Sequence, residues 1–367
     1  MNIRLAIDIG ASSGRFILGY IREGNLELKE IYRFSNSVIE QDKHLIWDIE
    51  NLWKEIKKGI HLALTIESKI DSISIDTWGV DYVLLNHNKP ILPVYAYRDA
   101  RTKCVIQEVH NKIPFQRLYE ITGTQFQEFN TIYQLYWDKL NQRLSQATDF
   151  LMMPEYFIYK LTGIKIKEFT NASTTGFFDI KASTYSKEVI TKLGFDERLF
   201  SKPSLPGVYV GDFTKELQEE LGGNIPVVLT ATHDTASAVE GIPMDGAAPY
   251  ISSGTWSLLG MKINNPILSQ KARLANYSNE LGPDYVRFQK NIMGLWIIQR
   301  LSLEMSLDFP TMVKMAGGST YSEIFDVNDP LFLSSLHMKE SILEWFKSHN
   351  KSLPNTDADY INSTYMS

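Results

Sequence analysis

Apolar and polar positions alternate from the start of the chain. Residues 3–7, Ile-Arg-Leu-Ala-Ile, read as a half-buried strand, and residues 16–21, Phe-Ile-Leu-Gly-Tyr-Ile, resume the pattern after a polar turn. Residues 26–32 alternate again and predict a third antiparallel strand. After Asp48, a helix N-cap type, the period changes: Ile49, Leu52, Trp53, Ile56 and Ile60 fall on one helical face. Ser72-Ile73-Ser74-Ile75 and Tyr82-Val83-Leu84-Leu85 return to strand character on either side of a turn at 76–81. The opening order is therefore β-β-β-α-β-β. Residues 102–200 read mostly as helices with polar connections. Val227-Val228-Leu229 predicts a buried strand that delivers Thr232-His233-Asp234-Thr235 just ahead of a small-residue helical segment at 236–239. Residues 290–299 predict a helix with Asn291 at or near its N-terminus, where outward amides can face an anion or a hydroxyl-rich ligand.

Composition narrows the class. With 367 residues, 44% hydrophobic and 22% charged, the chain can bury a full core and predicts two domains, divided near residue 240 into 1–240 and 241–367. A net charge of -6 without a local Lys/Arg cluster argues against a nucleic-acid partner. Cys104 is the only cysteine, which excludes an internal disulfide and fits a reducing cytoplasm. Arg4 and Asp8 interrupt the apolar N-terminus, so it does not read as a signal peptide, and no apolar run reaches membrane-spanning length. The oligomeric state is not legible.

Candidate chemistry concentrates at turns. Asp234 is a lone carboxylate at a strand-to-helix junction, placed either to accept a proton from a hydroxyl or simply to cap the helix that follows. Tyr250-Ile-Ser-Ser-Gly-Thr-Trp-Ser257 reads as a phosphate-holding turn or an ordinary hairpin. Its Ser-Ser-Gly repeats Ser12-Ser13-Gly14, and each tripeptide sits between apolar runs, as an internally duplicated phosphate clamp would. Gly10 to Gly14 also fits the G-x-S-x-G pattern of a hydrolase nucleophile, but a strand follows it where that motif needs a helix. The Lys of a phosphate-binding P-loop and the glycine spacing of a dinucleotide fingerprint are both missing. At 76–81, Trp78 and Gly79 read either as a sugar-binding edge or as a hairpin with a core indole. Tyr97-Arg-Asp-Ala-Arg101 reads as a polar-ligand contact or a surface salt-bridge cluster, and Thr170 to Gly176 as a sugar-lining loop or a capped loop.

Six segments together carry a resemblance: Asp8-Ile-Gly-Ala-Ser-Ser-Gly-Arg15, Ile75-Asp-Thr-Trp-Gly-Val-Asp81, Tyr97-Arg-Asp-Ala-Arg101, Thr232-His-Asp-Thr-Ala-Ser-Ala-Val239, Ser252-Ser-Gly-Thr-Trp-Ser257 and Lys290-Asn-Ile-Met-Gly-Leu-Trp296. In this order they resemble the FGGY carbohydrate kinases, specifically those acting on L-rhamnulose. The resemblance implies an α/β fold of two ribonuclease H-like lobes of the actin and hexokinase type. It implies ATP-dependent, Mg²⁺-assisted phosphorylation of L-rhamnulose at the 1-hydroxyl, or of another ketose by a relative, with a non-catalytic sugar-binding remnant as the other possibility. By similarity Asp234 is the base, and Gly79, His233, Asp234, Thr235 and Asn291 hold the sugar. Ala11, Ser12, Ser13, Gly14 and Arg15 hold the ATP phosphates, Thr255 and Gln299 contact the nucleotide, and Asp8 positions Mg²⁺.

The match weakens after Ser257. The family's second lobe carries a glycine-rich adenosine segment that these residues lack, so the second lobe is expected to be incomplete. Leu353 to Ser367 reads as a helix start cut short, and helices around 291–304 are expected to expose apolar faces.

Overall fold

The computed structural model describes residues 2–244, 248–254, 256–332, 335 and 337–367. The chain divides into two units. The first comprises the chain up to Ala248 together with Lys262–Phe288, and the second comprises Pro249–Met261 and Gln289–Ser367.

The first unit is built on a six-stranded mixed sheet. Asn2–Ile9, Ser13–Arg22 and Asn25–Ser35 form the predicted antiparallel meander, with Ile3, Leu5, Ile7 and Ile9 buried on alternate positions. The helix Ile49–Ile66 starts where expected, Asp48 Oδ1 accepting the Asn51 amide at 2.9 Å. It buries Ile49, Leu52, Ile56, Gly59, Ile60 and Ala63, one helical face. Gly59 lets that face approach the sheet: a Cβ there would lie 2.4 Å from the Phe16 ring. After the helix, Ser72–Thr77 joins the sheet parallel to Asn2–Ile9, with Asp76 in register with Asp8. Val227–Val228 adds itself parallel to Ser72–Thr77, and Tyr209–Gly211 closes that edge antiparallel. Asn2–Ile9, Ser72–Thr77 and Val227–Val228 thus point the same way, and a parallel bridge from Thr77 to His233 extends the third line. Their C-terminal ends share one edge of the sheet, where ligands of open α/β sheets commonly bind.

The predicted hairpin at 76–81 does not form. Tyr82–Asn86 pairs with Asp149–Met152 in a separate sheet. Val80 adopts φ 66°, a left-handed conformation costly for a β-branched residue, and turns the chain away. Asp81, fully buried, holds the turn by accepting from Trp47 Nε1 at 2.6 Å, Trp78 Nε1 at 3.0 Å and the Tyr97 amide at 3.0 Å. The helix Thr131–Leu140 packs around a second core that includes Leu135, Phe150, Phe177 and Phe178, whereas Met153–Thr162 buries Tyr156, Phe157 and Ile158 in the first core with the six-stranded sheet.

In the second unit, Pro249–Ser253 pairs antiparallel with Trp256–Ile263, Ser253 opposite Ser257. The helices Trp296–Met305, Phe309–Gly317, Met338–Ser348 and Asp357–Met366 enclose Leu301, Met312, Phe332, Ile342, Phe346 and Ile361, each fully buried. The exposure expected of the helix around 291–304 is partial: Ile297, Ile298 and Leu301 face this core, while Leu295 and Leu303 are exposed. The final stretch forms the helix Asp357–Met366, capped by Thr356 with Asp359 reciprocating, and Tyr360 and Ile361 lock it into the core. Among the described residues no helix is long and apolar enough to cross a membrane.

Candidate active site

The shared edge gathers three carboxylates in the first unit: Asp8 and Asp76 at the ends of adjacent parallel strands, and Asp234 beyond the third. Burial pushes the Asp76 carboxyl well above the usual aspartate range; the charges of Asp8 and Asp234 add to the shift, and a hydrogen bond with Ser237 opposes it. Asp76 was not among the predicted site residues. Its signal was the repeated Ile-Asp at a strand end, Ile7-Asp8 and Ile75-Asp76, which sequence spacing alone does not bring side by side.

Asp234 opens the helix Asp234–Glu240, whose N-cap is His233. It is not the cap. Its Oδ1 accepts the Thr235 amide at 2.6 Å and faces the Thr235 hydroxyl at 3.3 Å. Both bonds fall on Oδ1, no bond to Oδ2 is seen among the described residues, and the side chain is 36% exposed. Burial raises the Asp234 pKa, His233 and the Thr235 amide pull it back, and the Asp8 charge raises it again. A carboxylate with a raised pKa is a better proton acceptor than a free aspartate, and this one stays open to a ligand.

The approach to Asp234 is braced from below. Glu168, fully buried, accepts from the Thr170 amide and hydroxyl, the Asn171 amide, and the Thr232 amide (3.1 Å) and hydroxyl (2.9 Å). Thr232 in turn receives the Thr77 amide on its carbonyl at 3.0 Å. Two strands and the loop after Glu168 are thereby tied to the residue two before the candidate base. The hydroxyls of Thr170 to Thr175 are spent inside this structure: Thr170, Asn171, Ser173 and Thr175 are fully buried, and the Ser173, Thr174 and Thr175 hydroxyls donate to backbone carbonyls. The loop supports the site and does not line it.

His233 lies against Gly79, where an added Cβ would come within 3.1 Å of the imidazole. Its Nε2 is 3.4 Å from Asp234 Oδ1 and its Nδ1 3.7 Å from Glu280 Oε2. Burial lowers the His233 pKa, against the raising influence of Asp234 and Glu280, which favours the neutral imidazole. Trp78 belongs to the core: it is 6% exposed and its ring centroid is 4.2 Å from that of Trp47. Arg101 is also buried, held by Ala96 O and Gln134 Oε1, so 97–101 is not a surface cluster.

The hairpin tip at 10–15 sits at the same edge. The Gly10 amide donates to Ser13 O, and Asn36 clamps the tip through Ser12 O and Gly10 O, all at 2.9 Å. Ser12 is exposed, and Ala11 and Ser13 are half-buried. Gly14 has a packing reason: a Cβ there would sit 2.3 Å from the Phe34 ring. Arg15, directly across the hairpin from Asp8, donates to Asp8 Oδ2 through Nε at 2.8 Å and Nη2 at 2.7 Å.

The second unit holds the other candidates. Asn291 lies in the strand Val286–Met293, not at a helix start; the helix begins only at Trp296, after Gly294. Gly294 runs so close to the opposing turn that an added Cβ would meet Ser257 Oγ at 2.4 Å and Gly254 O at 2.6 Å, and Leu295 N donates to Gly254 O. That contact requires extended chain up to it. Asn291 Oδ1 is buried without a hydrogen-bond partner among the described residues. Gln299 is half-buried on the helix Trp296–Met305. Thr255 lies outside the described residues.

For a divalent cation the donor chemistry fits. Oxygen ligands suit Mg²⁺, and the repulsion from Asp8 and Asp234 that adds to the burial-driven rise of the Asp76 pKa is relieved by positive charge. Among the described residues no group of three acidic, His or Cys side chains is spaced to hold a metal alone. Mg²⁺ commonly relies on one or two carboxylates plus substrate phosphates.

Residues 3–241 match the N-terminal domain model of the FGGY family of carbohydrate kinases. The chain is 42% identical to the rhamnulokinase of Oceanobacillus iheyensis over 99% of its own length and 78% of that protein's, and 37% identical to that of Bacillus subtilis over 96% and 74%. Among solved structures it is similar to the ligand-bound xylulose kinase of Lactobacillus acidophilus, with a TM-score of 0.75 at 20% identity over 88% of this chain and 67% of that one. The xylulose kinase of Rhodospirillum rubrum aligns with a TM-score of 0.75 at 14% identity, over 94% and 78%. These likenesses give the α/β fold of the FGGY sugar kinases.

Proposed function

The chain belongs to the FGGY family of carbohydrate kinases, and from that premise we propose that it transfers the γ-phosphoryl group of ATP to the 1-hydroxyl of L-rhamnulose. Identity near 40% to rhamnulokinases over nearly the whole chain supports this substrate over other ketoses. The single observation that carries the chemistry is Asp234: a partly exposed carboxylate at a strand end, one oxygen fixed by Thr235 and the other open.

Phosphoryl transfer is mainly positioning and charge stabilisation. On this reading Asp234 Oδ2 accepts the proton of the attacking hydroxyl, and Oδ1, tied to Thr235, keeps the carboxylate from rotating. His233 and Thr235, with Gly79 giving room beside the imidazole, hold the ketose in the first unit; Asn291 adds a contact by family resemblance. The exposed tip at Ala11, Ser12, Ser13 and Gly14 and the guanidinium of Arg15 receive the ATP phosphates. Arg15 is bound to Asp8 and must exchange that partner for phosphate oxygens. Asp8 would hold Mg²⁺, which when bound supplies positive charge against the phosphates. Thr255 and Gln299 are assigned to the nucleotide. The division at residue 240 is proposed to separate a lobe carrying the base, the phosphate tip and most of the sugar contacts from one carrying nucleotide contacts. A single unpaired cysteine, Cys104, is consistent with work in the cytoplasm.

The test is a panel of ketoses and esters assayed with Mg-ATP. L-rhamnulose should be phosphorylated with the highest kcat/KM, and no ester should turn over. Ester hydrolysis lost on Ser12→Ala would contradict the kinase reading. Preference for a pentulose would move the substrate within the family.

A further inference from the structure

Behind His233 lies a buried pair that the proposed chemistry does not use. Glu280, on the strand Ser278–Leu281, is 7% exposed at its side chain, and Arg287, at the start of Val286–Met293, is completely buried. Arg287 Nη2 sits 3.3 Å from Glu280 Oε2 and donates to Leu281 O at 3.3 Å, while Nε and Nη1 have no hydrogen-bond partner among the described residues. A buried guanidinium this poorly solvated needs a counter-charge, and Glu280 is the carboxylate in contact with it. The same oxygen of Glu280 faces His233 Nδ1 at 3.7 Å, just beyond hydrogen-bonding range.

His233 has one ring proton to place between two carboxylates. Toward Asp234 the ring meets Oδ1, whose two lone pairs already face the Thr235 amide and hydroxyl. On the other side, His233 Nδ1 is buried without a hydrogen-bond partner among the described residues, and the carboxylate oxygen facing it is Glu280 Oε2, which Arg287 Nη2 also contacts. We propose that Glu280, held in place by Arg287, fixes His233 as the Nδ1–H tautomer, so that Nε2 presents a lone pair to a ketose hydroxyl beside Asp234. This deepens the kinase reading and rests on it for the identity of the ligand.

The consequence is a pair of neighbouring acceptors. Nε2 receives one hydroxyl of the sugar, and Asp234 Oδ2 receives the hydroxyl to be phosphorylated. In the opposite tautomer the imidazole N–H would point at Asp234, compete for the base's electron density and repel a donor hydroxyl. The charged groups facing the ring are Asp234, Glu280 and Arg287. Glu280 and Arg287 are therefore positioning residues for substrate recognition, acting through His233.

The direct test is the ring-nitrogen spectrum of ¹⁵N-histidine-labelled full chain at neutral pH, with the His233 signals assigned by His233→Asn. The parent should show a protonated Nδ1 and an unprotonated Nε2. Glu280→Gln should shift the population toward Nε2–H and weaken L-rhamnulose binding, measured by calorimetry, by about tenfold to a hundredfold, the usual range for losing a hydrogen bond to a charged group. The KM for ATP should stay within a factor of about two, since a loss confined to the ketose end leaves the nucleotide contacts intact. Because Glu280→Gln leaves Arg287 buried without its partner and can unfold the chain, Glu280→Gln/Arg287→Met removes both charges and is read by the same spectrum. A parent His233 protonated at Nε2 would overturn the proposal, as would an unchanged tautomer in both variants. A parent that shows Nδ1–H, responds to the variants and binds no L-rhamnulose would instead contradict the substrate assignment and leave the tautomer control standing.

Discussion

Two segments of the first unit meet at the same sheet edge and are held in opposite ways. The loop 232–235 is anchored through buried groups. Thr232 is fully buried and bonded to Glu168 and Thr77, and Asp234 Oδ1 is taken by Thr235. The hairpin tip 10–15 is anchored near the surface, by Asn36 on its backbone and by the Arg15–Asp8 pair, and leaves Ser12 exposed and the Arg15 side chain 46% exposed. A base must be aimed to within fractions of an ångström at one proton. A polyphosphate is instead met by several amides, hydroxyls and a mobile cation, any one of which is replaceable. The difference predicts that damage to the first segment is steep and specific, and that damage to the second is graded.

The largest effect belongs to Asp234→Asn. The amide is nearly isosteric but accepts no proton, so kcat should fall by about 10² to 10⁴, with ketose affinity changed only a few-fold. Because burial raises the folded pKa of Asp234, its ionised form costs the fold at neutral pH, and partial exposure keeps that cost small. The melting temperature of the variant should therefore hold or rise slightly. A variant that unfolded would show that the residue is structural.

Arg15→Met tests the graded side. Losing a charge-assisted contact to phosphate should raise the KM for ATP by about tenfold to a hundredfold and leave the ketose KM unchanged. The same substitution frees Asp8 from its only described ion pair, so the Mg²⁺ concentration needed for half-maximal rate should not rise. Steady-state titrations of ATP, ketose and Mg²⁺ separate these terms, and a matching rise in ketose KM would contradict the division of labour. The smallest effect is expected for Ser12→Ala: one exposed hydroxyl among several donors, about a two- to tenfold rise in the KM for ATP. A loss as large as that of Asp234→Asn would mean that the tip contributes a single indispensable group.

The same contrast explains what the sequence made legible. Features set by neighbours along the chain were readable: the alternating hairpin, the helix after Asp48, and the strand that delivers Asp234. Features set by distant pairings were not. Asp76 becomes a site residue only because Ser72–Thr77 lies beside Asn2–Ile9. Glu280 and Arg287 lie far from His233 in the chain and carry no motif; only the tertiary fold brings them behind the imidazole. Trp78 read equally well as a sugar platform or a core indole, and Asp81 decided it by capturing the indole N–H. Asn291 was misread because Lys290 to Gln299 contains both strand and helix, with Gly294 pinned against Ser257 at the change.

The central claim, that Asp234 is the proton acceptor, is tested most directly by the pH dependence of kcat/KM for L-rhamnulose in parent and Asp234→Asn enzymes. The acceptor works ionised, so the rate falls as pH drops through its pKa, and burial places that pKa above the ordinary aspartate value. The parent should show an acid limb displaced upward from the usual aspartate range, and the residual activity of Asp234→Asn should lack it. The same displaced limb in both enzymes, or near-parental turnover in the variant, would assign the proton to another group and contradict the account.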